Sequence, residues 1–493
     1  CNGLVGPDRK PHPALAEVKY AHQNVAFEAV DLKTGRYKVV NRFYFTNLRK
    51  YDVNYELRAN GSVAKRGKVA LDVSPQATAE FVIPVTVTVG KPGVEYFVHF
   101  SVVTRQAEPL IPIGHEIAQE QFRLPLETEK DSYEASGKAL GWKAENGKVV
   151  VSSSNVYFEL DKATGMVTSY KVNGTEFFDK AFGVQPNFWR APNDNDYGNS
   201  NPKRLQIWKE SSRDFKVSDT AVREEGETVL MSVTYDLPAG NQYLITYRIY
   251  RDGVVNVNVK FTQTDREAEK TEVLEDTNLA TFTPGKKVKK KDVLEVPRIG
   301  VRFRIPHVMN RVEYFGRGPV ENYVDRNAGS MVGRYKTSVE EMYVNYVRPQ
   351  ENGHRTDTRW VSFTNTAGRG LLVLAEKTIG FNALRNTVED FDSEESSHPY
   401  QWRNRSSKEV AGKNEAEAKN VLRRMTHVND ITPRDFVEVC IDMKQQGVAG
   451  YDSWGAKVQP GYTIPASRDY VWGFTLIPIK NVGDVNKSLR YTY

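Results

Sequence analysis

Two cysteines, Cys1 and Cys440, are all that these 493 residues contain. A disulfide framework or a thiolate zinc set needs more, so neither organises the chain. The eight histidines are scattered, with no pair at the short spacing of a zinc motif. No stretch approaches the roughly 20 consecutive apolar residues of a membrane span. Gly-x-Ser-x-Gly is missing, and so is the glycine loop that cradles phosphates. The net charge of +6 is small for this length. The one dense basic run, Lys286-Lys-Val-Lys-Lys-Lys291, has no interleaved aromatics and reads as a solvated loop, not a nucleic-acid surface. These absences exclude a disulfide scaffold, a zinc enzyme, a nucleotide-binding fold, a helical membrane protein and a nucleic-acid partner. The two cysteines fit a reducing compartment without fixing one, so cytoplasm and periplasm both stay open.

What is abundant is aromatic surface: 25 Tyr, 22 Phe and 7 Trp. Such residues suit β-sheets and sugar-binding clefts equally. The length suggests about three domains. Residues 1–18 read as loop plus a short helix, since Pro7 to Pro13 cannot be regular and Ala14-Leu-Ala-Glu-Val18 follows a proline. From about 22 to 125 the pattern is β. Tyr37, Val39, Asn41, Phe43 and Phe45 alternate with more polar neighbours, and Asp31 to Gly35 and Asn60-Gly61 are hairpin turns. Phe81–Val89 and Val94–Val103 read as further strands, split by Gly90 to Gly93. Short strands at this spacing predict an immunoglobulin-like sandwich. Residues 126–145 are polar and read as a linker. Residues 146–493 are again mainly β, with strands at Val149–Val151, Val156–Leu160, Met166–Tyr170, Thr175–Phe178, Tyr243–Tyr250 and Val254–Phe261. That length predicts a large double-sheet domain. No helix of ten residues alternates with the strands, so no parallel α/β unit is expected. Lys408–Asn420, charged and Ala-rich, reads as a surface helix or an insertion.

The densest stretch is Asn187-Phe-Trp-Arg-Ala-Pro-Asn-Asp-Asn-Asp-Tyr-Gly198. Phe188 and Trp189 favour burial, and Arg190 needs an acceptor for its planar fork. Asn193 to Asp196 are turn builders, and Gly198 permits a hinge. The segment predicts a buried strand end that opens into a polar loop; a structural loop braced by an Arg–Asp pair is the plainer reading. Acid–base hydrolysis needs two positioned carboxylates. The candidates are Asp194, Asp196, Glu321, Asp325, Glu351 and Asp452. Glu321 and Asp325 sit beside Arg317 and Arg326, which favours structural pairing over proton transfer. Arg348 to Arg355 is a Gly turn ringed by polar donors. In Gln445 to Gly455, Trp454 lies between Gly450 and Gly455. Its ring is either an exposed platform for a sugar or a plug under a domain contact.

Taken in order, six stretches resemble the C-terminal half of the large bacterial β-galactosidases of glycoside hydrolase family two. They are Cys1 to Pro13, Leu71-Asp-Val-Ser-Pro75, Phe188 to Asp196, Gly316-Arg-Gly-Pro-Val-Glu-Asn-Tyr323, Pro349-Gln-Glu-Asn-Gly353 and Asp452-Ser-Trp454. Each alone is weak; the ordered set is specific, and only about 380–435 lacks a family motif. The resemblance implies that residues 1–18 end a catalytic TIM barrel. Residues 19–125 would then form an immunoglobulin-like domain, 126–145 a linker, and 146–493 a β-supersandwich similar to galactose mutarotases. It makes Cys1 a position inside a longer polypeptide, whereas a leading Cys otherwise marks a processed lipoprotein. It places both catalytic glutamates and the Mg2+ ligands upstream, with no catalytic residue in this chain. It makes Asn2 a ligand of an active-site Na+, Trp454 a platform for the leaving group, and Gly198, Asn199, Ser200 and Asn201 part of a loop closing over the substrate. Asn201 departs from the family, which has an acidic residue there, and so puts the loop's contacts in doubt. The partners implied are a β-galactoside, the catalytic barrel of the same polypeptide and further copies in a homo-oligomer. A stand-alone carbohydrate-binding or mutarotase-like module is the reading from a different class. An upstream barrel with two glutamates discriminates the two.

Overall fold

A computed structural model describes residues 3–84, 89–126, 128–237, 240–263, 295–392, 427–452 and 455–493. Among these residues the chain is mainly β. Helix α1 (Ala14–Ala21) starts directly after Pro13. Seven strands follow: β1 (Val25–Asp31), β2 (Arg36–Asn41), β3 (Tyr51–Ala59), β4 (Ser62–Val69), β5 (Thr78–Val82), β6 (Tyr96–Thr104) and β7 (Glu116–Arg123). They form two antiparallel sheets, β1-β2-β5 and β4-β3-β6-β7, in the layered manner of an immunoglobulin-like sandwich. Tyr51, Val53, Tyr55 and Leu57 alternate inward along β3, as a half-buried strand requires. Phe27 stacks on Phe100 at 4.7 Å and Tyr37 meets the same ring edge-on at 4.9 Å.

The apolar alternation suggested a strand running to Phe45, but β2 stops at Asn41. The Asn41 amide donates to the carbonyls of Thr46, Val73 and Ser74, so the chain is captured into a loop. Tyr44 and Phe45 are left exposed. The polar stretch 126–145 is not simply a tether. It carries β8 (Asp131–Ser132) and β9 (Gly141–Glu145), paired with chain partners far away and close by respectively.

The second unit continues with β10 (Lys148–Ser152), β11 (Val156–Asp161), β12 (Val167–Val172), β13 (Thr175–Glu176) and β14 (Gln185–Asn187). Next come α2 (Asp194–Gly198), α3 (Asn201–Arg204) and α4 (Gln206–Ser211). The remaining strands are β15 (Lys216–Glu225), β16 (Thr228–Asp236), β17 (Gln242–Ile249), β18 (Val255–Thr262), β19 (Arg298–Pro306), β20 (Arg311–Gly318), β21 (Met331–Ser338), β22 (Arg355–Thr364), β23 (Gly370–Leu384), β24 (Phe436–Gln445), β25 (Tyr470–Ile479) and β26 (Tyr491–Thr492). β13-β12-β11-β10-β9 make a meander, and a larger sheet runs β14-β19-β24-β23-β25-β18-β17-β16-β15, with β20 to β22 joined through β23. The meander and the large sheet share one hydrophobic core. Its tyrosines bury their rings and satisfy their hydroxyls on backbone carbonyls. Tyr170 donates to Gly253 at 2.6 Å, Tyr235 to Gly165 at 2.7 Å and Tyr243 to Gly300 at 2.9 Å. Lys408–Asn420 lies outside the described residues.

Strand β23 is the spine. Residues 370–375 pair with β25 and 380–384 with β24; between them Glu376, Lys377 and Thr378 are exposed where the strand changes partner. Covered on both faces, the strand is apolar almost throughout rather than alternating. The two units meet along β6, β7, β21 and β22. Arg359 forks onto Glu95 at 2.9 Å, and the Gln121 amide both donates to and accepts from the Val332 backbone. α1 docks beside them: Glu17 accepts from Gly329 N at 2.8 Å, and a Cβ on Gly329 would lie 2.5 Å from the Ala16 carbonyl.

The tightest position along the spine is Gly370, where a Cβ would lie 1.8 Å from the Phe363 carbonyl oxygen. Gly370→Ala should lose about 2–3 kcal/mol in urea unfolding, because backbone must move. Gly141→Ala, with nothing within 4 Å of the new atom, should stay within about 0.5 kcal/mol.

Candidate functional site

After β14 the chain dives into the core. Phe188 packs on Tyr243 and Trp208, and Trp189 donates its indole N–H to Asp392 at 2.8 Å. The Asn193 side chain then accepts from Asp196 N at 2.8 Å while Asp196 Oδ2 accepts from Asn193 N at 3.1 Å. This reciprocal cap starts α2, so the stretch expected as a loop is a helical turn. Gly198 is its last residue, Ser200 takes the left-handed conformation (φ 60°), and Pro202 opens α3.

Arg190, 2% exposed, is the fixed point. One nitrogen reaches both oxygens of Asp196 (2.9 and 3.1 Å) and the Gly447 carbonyl (3.0 Å); the other reaches the Gln446 carbonyl (2.8 Å). It thereby ties α2 to the loop after β24. That loop is held from a second side by Asp325, which accepts from Val448 N and Ala449 N at 3.0 and 2.9 Å. Gly447 leaves the room: a Cβ there would lie 2.3 Å from the Asp325 carboxylate. A third loop enters through Glu351, whose Oε1 takes donors from Arg298, Asn382 and Gln445 at 3.0–3.2 Å. Glu321 accepts from Gly353 N, Arg326 and the Tyr346 hydroxyl at 2.7, 2.8 and 2.8 Å. The N-terminal loop also arrives here. His12 contacts the Gly3 carbonyl through Nδ1 at 2.6 Å, and its ring meets Tyr346 edge-on at 5.4 Å.

Four motifs singled out in the sequence thus converge at one end of the second unit. The turn after α2 touches the segment around Trp454: a Cβ on Gly198 would lie 3.7 Å from Gly455 Cα, and Asn199 donates to the Ala456 carbonyl at 3.3 Å. Asn201 is buried and donates to Asp196 at 2.9 Å. An acidic residue at 201 would point oxygen at oxygen, so the departure to Asn fits its surroundings. Asn2 and Trp454 themselves lie outside the described residues.

Each carboxylate proposed from sequence is engaged. Asp194 pairs with Arg348 at 3.2 Å, and Arg348 lies over the Tyr197 ring at 3.9 Å. Asp452 accepts from Ala456 N at 3.2 Å, and the other four are held as above. Among the described residues no group of three or more His, Cys, Asp or Glu could hold a metal ion.

Sequence reasoning missed the layer beneath. Arg298, fully buried, lies 3.0 Å from Glu351 and 3.1 Å from Asp442. Its Nε–H is not aimed at Asp442, whose two oxygens have no hydrogen bond. His354 Nδ1 stands 3.8 Å from Asp442, and Tyr323 stacks on its ring at 5.3 Å. One cation faces two carboxylates, and Glu351 takes the better donors. Burial therefore pushes Asp442 up to about 7, aided by Glu351 and opposed by Arg298. Burial and the charges of Arg298, Arg355 and Arg190 hold His354 well below the usual imidazole range. Gly300 makes space for the acid, since a Cβ there would lie 2.1 Å from its Oδ1. The available signal was a charge inside an otherwise apolar strand: Arg298 and Arg302 in β19, Asp442 in β24.

The family model for the β-galactosidase small chain matches residues 152–476, and that for β-galactosidase domain 4 matches 37–125. The chain belongs to the β-galactosidase small-chain family. The β-galactosidase of Priestia megaterium is 31% identical over 97% of this chain and 41% of its own length. That of Streptococcus thermophilus is 28% identical over 97% and 40%. This small-chain family member therefore spans about two fifths of the curated relatives it matches. Among solved structures, the GalM/aldose epimerase homologue from C. elegans covers 69% of this chain and 99% of its own at 9% identity, TM-score 0.34. A putative mutarotase from Salmonella typhimurium covers 71% and 97% at 9% identity, TM-score 0.33.

Two measurements test the network. Arg190→Ala leaves Asp196 buried without its charge partner and should lose about 3–5 kcal/mol of stability. Arg190→Lys should not restore it, because a point charge cannot serve Asp196 and two carbonyls together. Asp442 has a folded pKa raised above its unfolded value, so its stabilising contribution is full below pH about 4 and is lost as pH rises towards 7. Relative to Asp442→Asn, the parent should lose up to about 1.4 kcal/mol per pH unit between pH 5 and 7, read from urea unfolding at both pH values.

Proposed function

We propose that this chain is the C-terminal part of a retaining β-galactosidase that hydrolyses terminal β-D-galactosides such as lactose. It supplies the loops that complete the substrate site. The observation that carries this reading is the meeting of the N-terminal loop with the loops at 190–202, 319–327, 343–355 and 445–456, linked through His12, Tyr346 and Glu321. A proton-transferring pair must be free to change charge, yet the six acids of the cluster are all engaged by donors here. On this reading, which follows the family resemblance, the two glutamates of a retaining mechanism, set about 5–5.5 Å apart, lie in the upstream part of the longer polypeptide. So do the Mg2+ ligands.

Within this reading Asn2, next to the anchored Gly3, offers its side-chain carbonyl to a Na+ ion, a hard donor for a hard cation. Trp454 presents its ring to the leaving group. The turn of Gly198, Asn199, Ser200 and Asn201 closes over the substrate, and its contacts with Gly455 and Ala456 support movement of the turn together with the Trp454 segment. The barrel of the same polypeptide and further copies of it are the proposed partners.

The 493-residue chain alone should not turn over a chromogenic galactoside, whereas the polypeptide of the relatives' length should. Turnover by the chain alone that one Glu or Asp substitution within it abolishes would overturn the assignment. Catalysed interconversion of α- and β-galactose by the chain alone, read by polarimetry, would instead make it a mutarotase-like module.

A further inference from the structure

Five asparagines in this chain precede a glycine: Asn2, Asn60, Asn146, Asn173 and Asn352. Such a pair is chemically reactive, because no Cβ shields the approach to the glycine nitrogen. That nitrogen attacks the asparagine Cγ, closes a cyclic imide and expels ammonia. Water then opens the imide at either carbonyl and leaves aspartate or isoaspartate, with one negative charge added. The attack requires an asparagine side chain free to swing and a turn free to open. Three of the pairs form the same two-residue hairpin turn: Asn60-Gly61 joins β3 to β4, Asn146-Gly147 joins β9 to β10, and Asn173-Gly174 joins β12 to β13. Their backbones match, with φ of 45°, 51° and 51° at Asn and 79°, 76° and 78° at Gly. The local chemistry is therefore the same in all three, and the surroundings decide between them.

Asn60 is clamped. Its amide donates to the Gly93 carbonyl at 2.9 Å and accepts from Glu95 N at 2.8 Å. Gly61 is wedged against β21, where a Cβ would lie 2.4 Å from Arg334 N. Asn352 is buried, donates to the Gln350 carbonyl at 2.9 Å and accepts from Val344 N at 3.2 Å. Its nucleophile is occupied as well, since Gly353 N donates to Glu321 at 2.7 Å. Asn146 and Asn173 are the opposite case. Both are exposed, neither side chain has a hydrogen bond among the described residues, and a Cβ on Gly147 or Gly174 would meet nothing within 4 Å. Each turn also leads to an edge strand of the meander, β9 or β13. β9 is exposed along its whole length and β13 has two residues, so opening either turn breaks few contacts. We propose that Asn146 and Asn173 are the sites at which the folded chain modifies itself through a succinimide, while the fold shields Asn60 and Asn352.

Peptide mapping by mass spectrometry tests this on the 493-residue chain, incubated at mildly alkaline pH either folded or in guanidinium chloride. Conversion of amide to acid is followed at the four described pairs, with aspartyl and isoaspartyl peptides separated by chromatography. In the folded chain Asn146 and Asn173 should convert about tenfold faster or more than Asn60 and Asn352, because the shielded pairs react only after local opening. In denaturant the four should convert at rates within about threefold of one another, since the neighbours that separate them are gone. Conversion of Asn60 or Asn352 in the folded chain as fast as that of the exposed pairs would overturn the shielding. A slow Asn60 in denaturant would overturn it too, by placing the protection in local sequence. A folded chain whose Asn146 and Asn173 stay intact while the denatured chain converts them would overturn the sites themselves.

Discussion

The buried fork of Arg190 is the constraint on which this end of the molecule depends. Its donors are divided between the carboxylate of Asp196 and the carbonyls of Gln446 and Gly447. Two segments more than 240 residues apart in sequence are thereby fixed by one side chain that cannot lose its charge. Asp196 in turn caps α2 and accepts from Asn201, so the helical turn, the residues after it and the loop bearing Trp454 share one anchor. Beneath it a second buried arginine, Arg298, holds Glu351 and stands beside Asp442. The loops are irregular, but their roots are ionic and buried.

This layering explains what the sequence reveals and what it conceals. The sandwich strands were readable because one face of each is wet, which makes Tyr51, Val53, Tyr55 and Leu57 alternate with polar residues. The turns at Asp31 to Gly35 and Asn60-Gly61 were readable because their chemistry is local. The extent of β2 was not, since its end is set by a side-chain amide reaching carbonyls some 30 residues on. The turn residues Asn193 to Asp196 suggested a loop because the same side chains cap helices and shape turns.

At the site, the motif stretches were recognisable as dense clusters of Arg, Asn, Asp and Gly; of the two carboxylates beside arginines, Glu321 pairs with Arg326 whereas Asp325 takes backbone donors from Val448 and Ala449. Arg298, Asp442 and His354 were not legible, because whether a charge in an apolar strand faces an opposite charge depends on the register of β19 against β24. That register is a tertiary fact. Asn2 and Trp454 rest on the family resemblance and on the anchoring of their neighbours, Gly3 and Gly455.

The tyrosine hydroxyls of the core have a mechanical consequence. Tyr170, Tyr235 and Tyr243 each reach a carbonyl on a segment other than their own, at Gly253, Gly165 and Gly300. Such bonds act as dowels between packed layers. Sliding the meander over the large sheet by even a single residue would strand the hydroxyls of Tyr170 and Tyr235 and their two carbonyls at once, while Tyr243 ties β17 to β19 within the large sheet; each stranded group costs about 1–3 kcal/mol. Shear is therefore closed to this domain as a mode of motion, and whatever moves during its working cycle must do so in the turns at its rim.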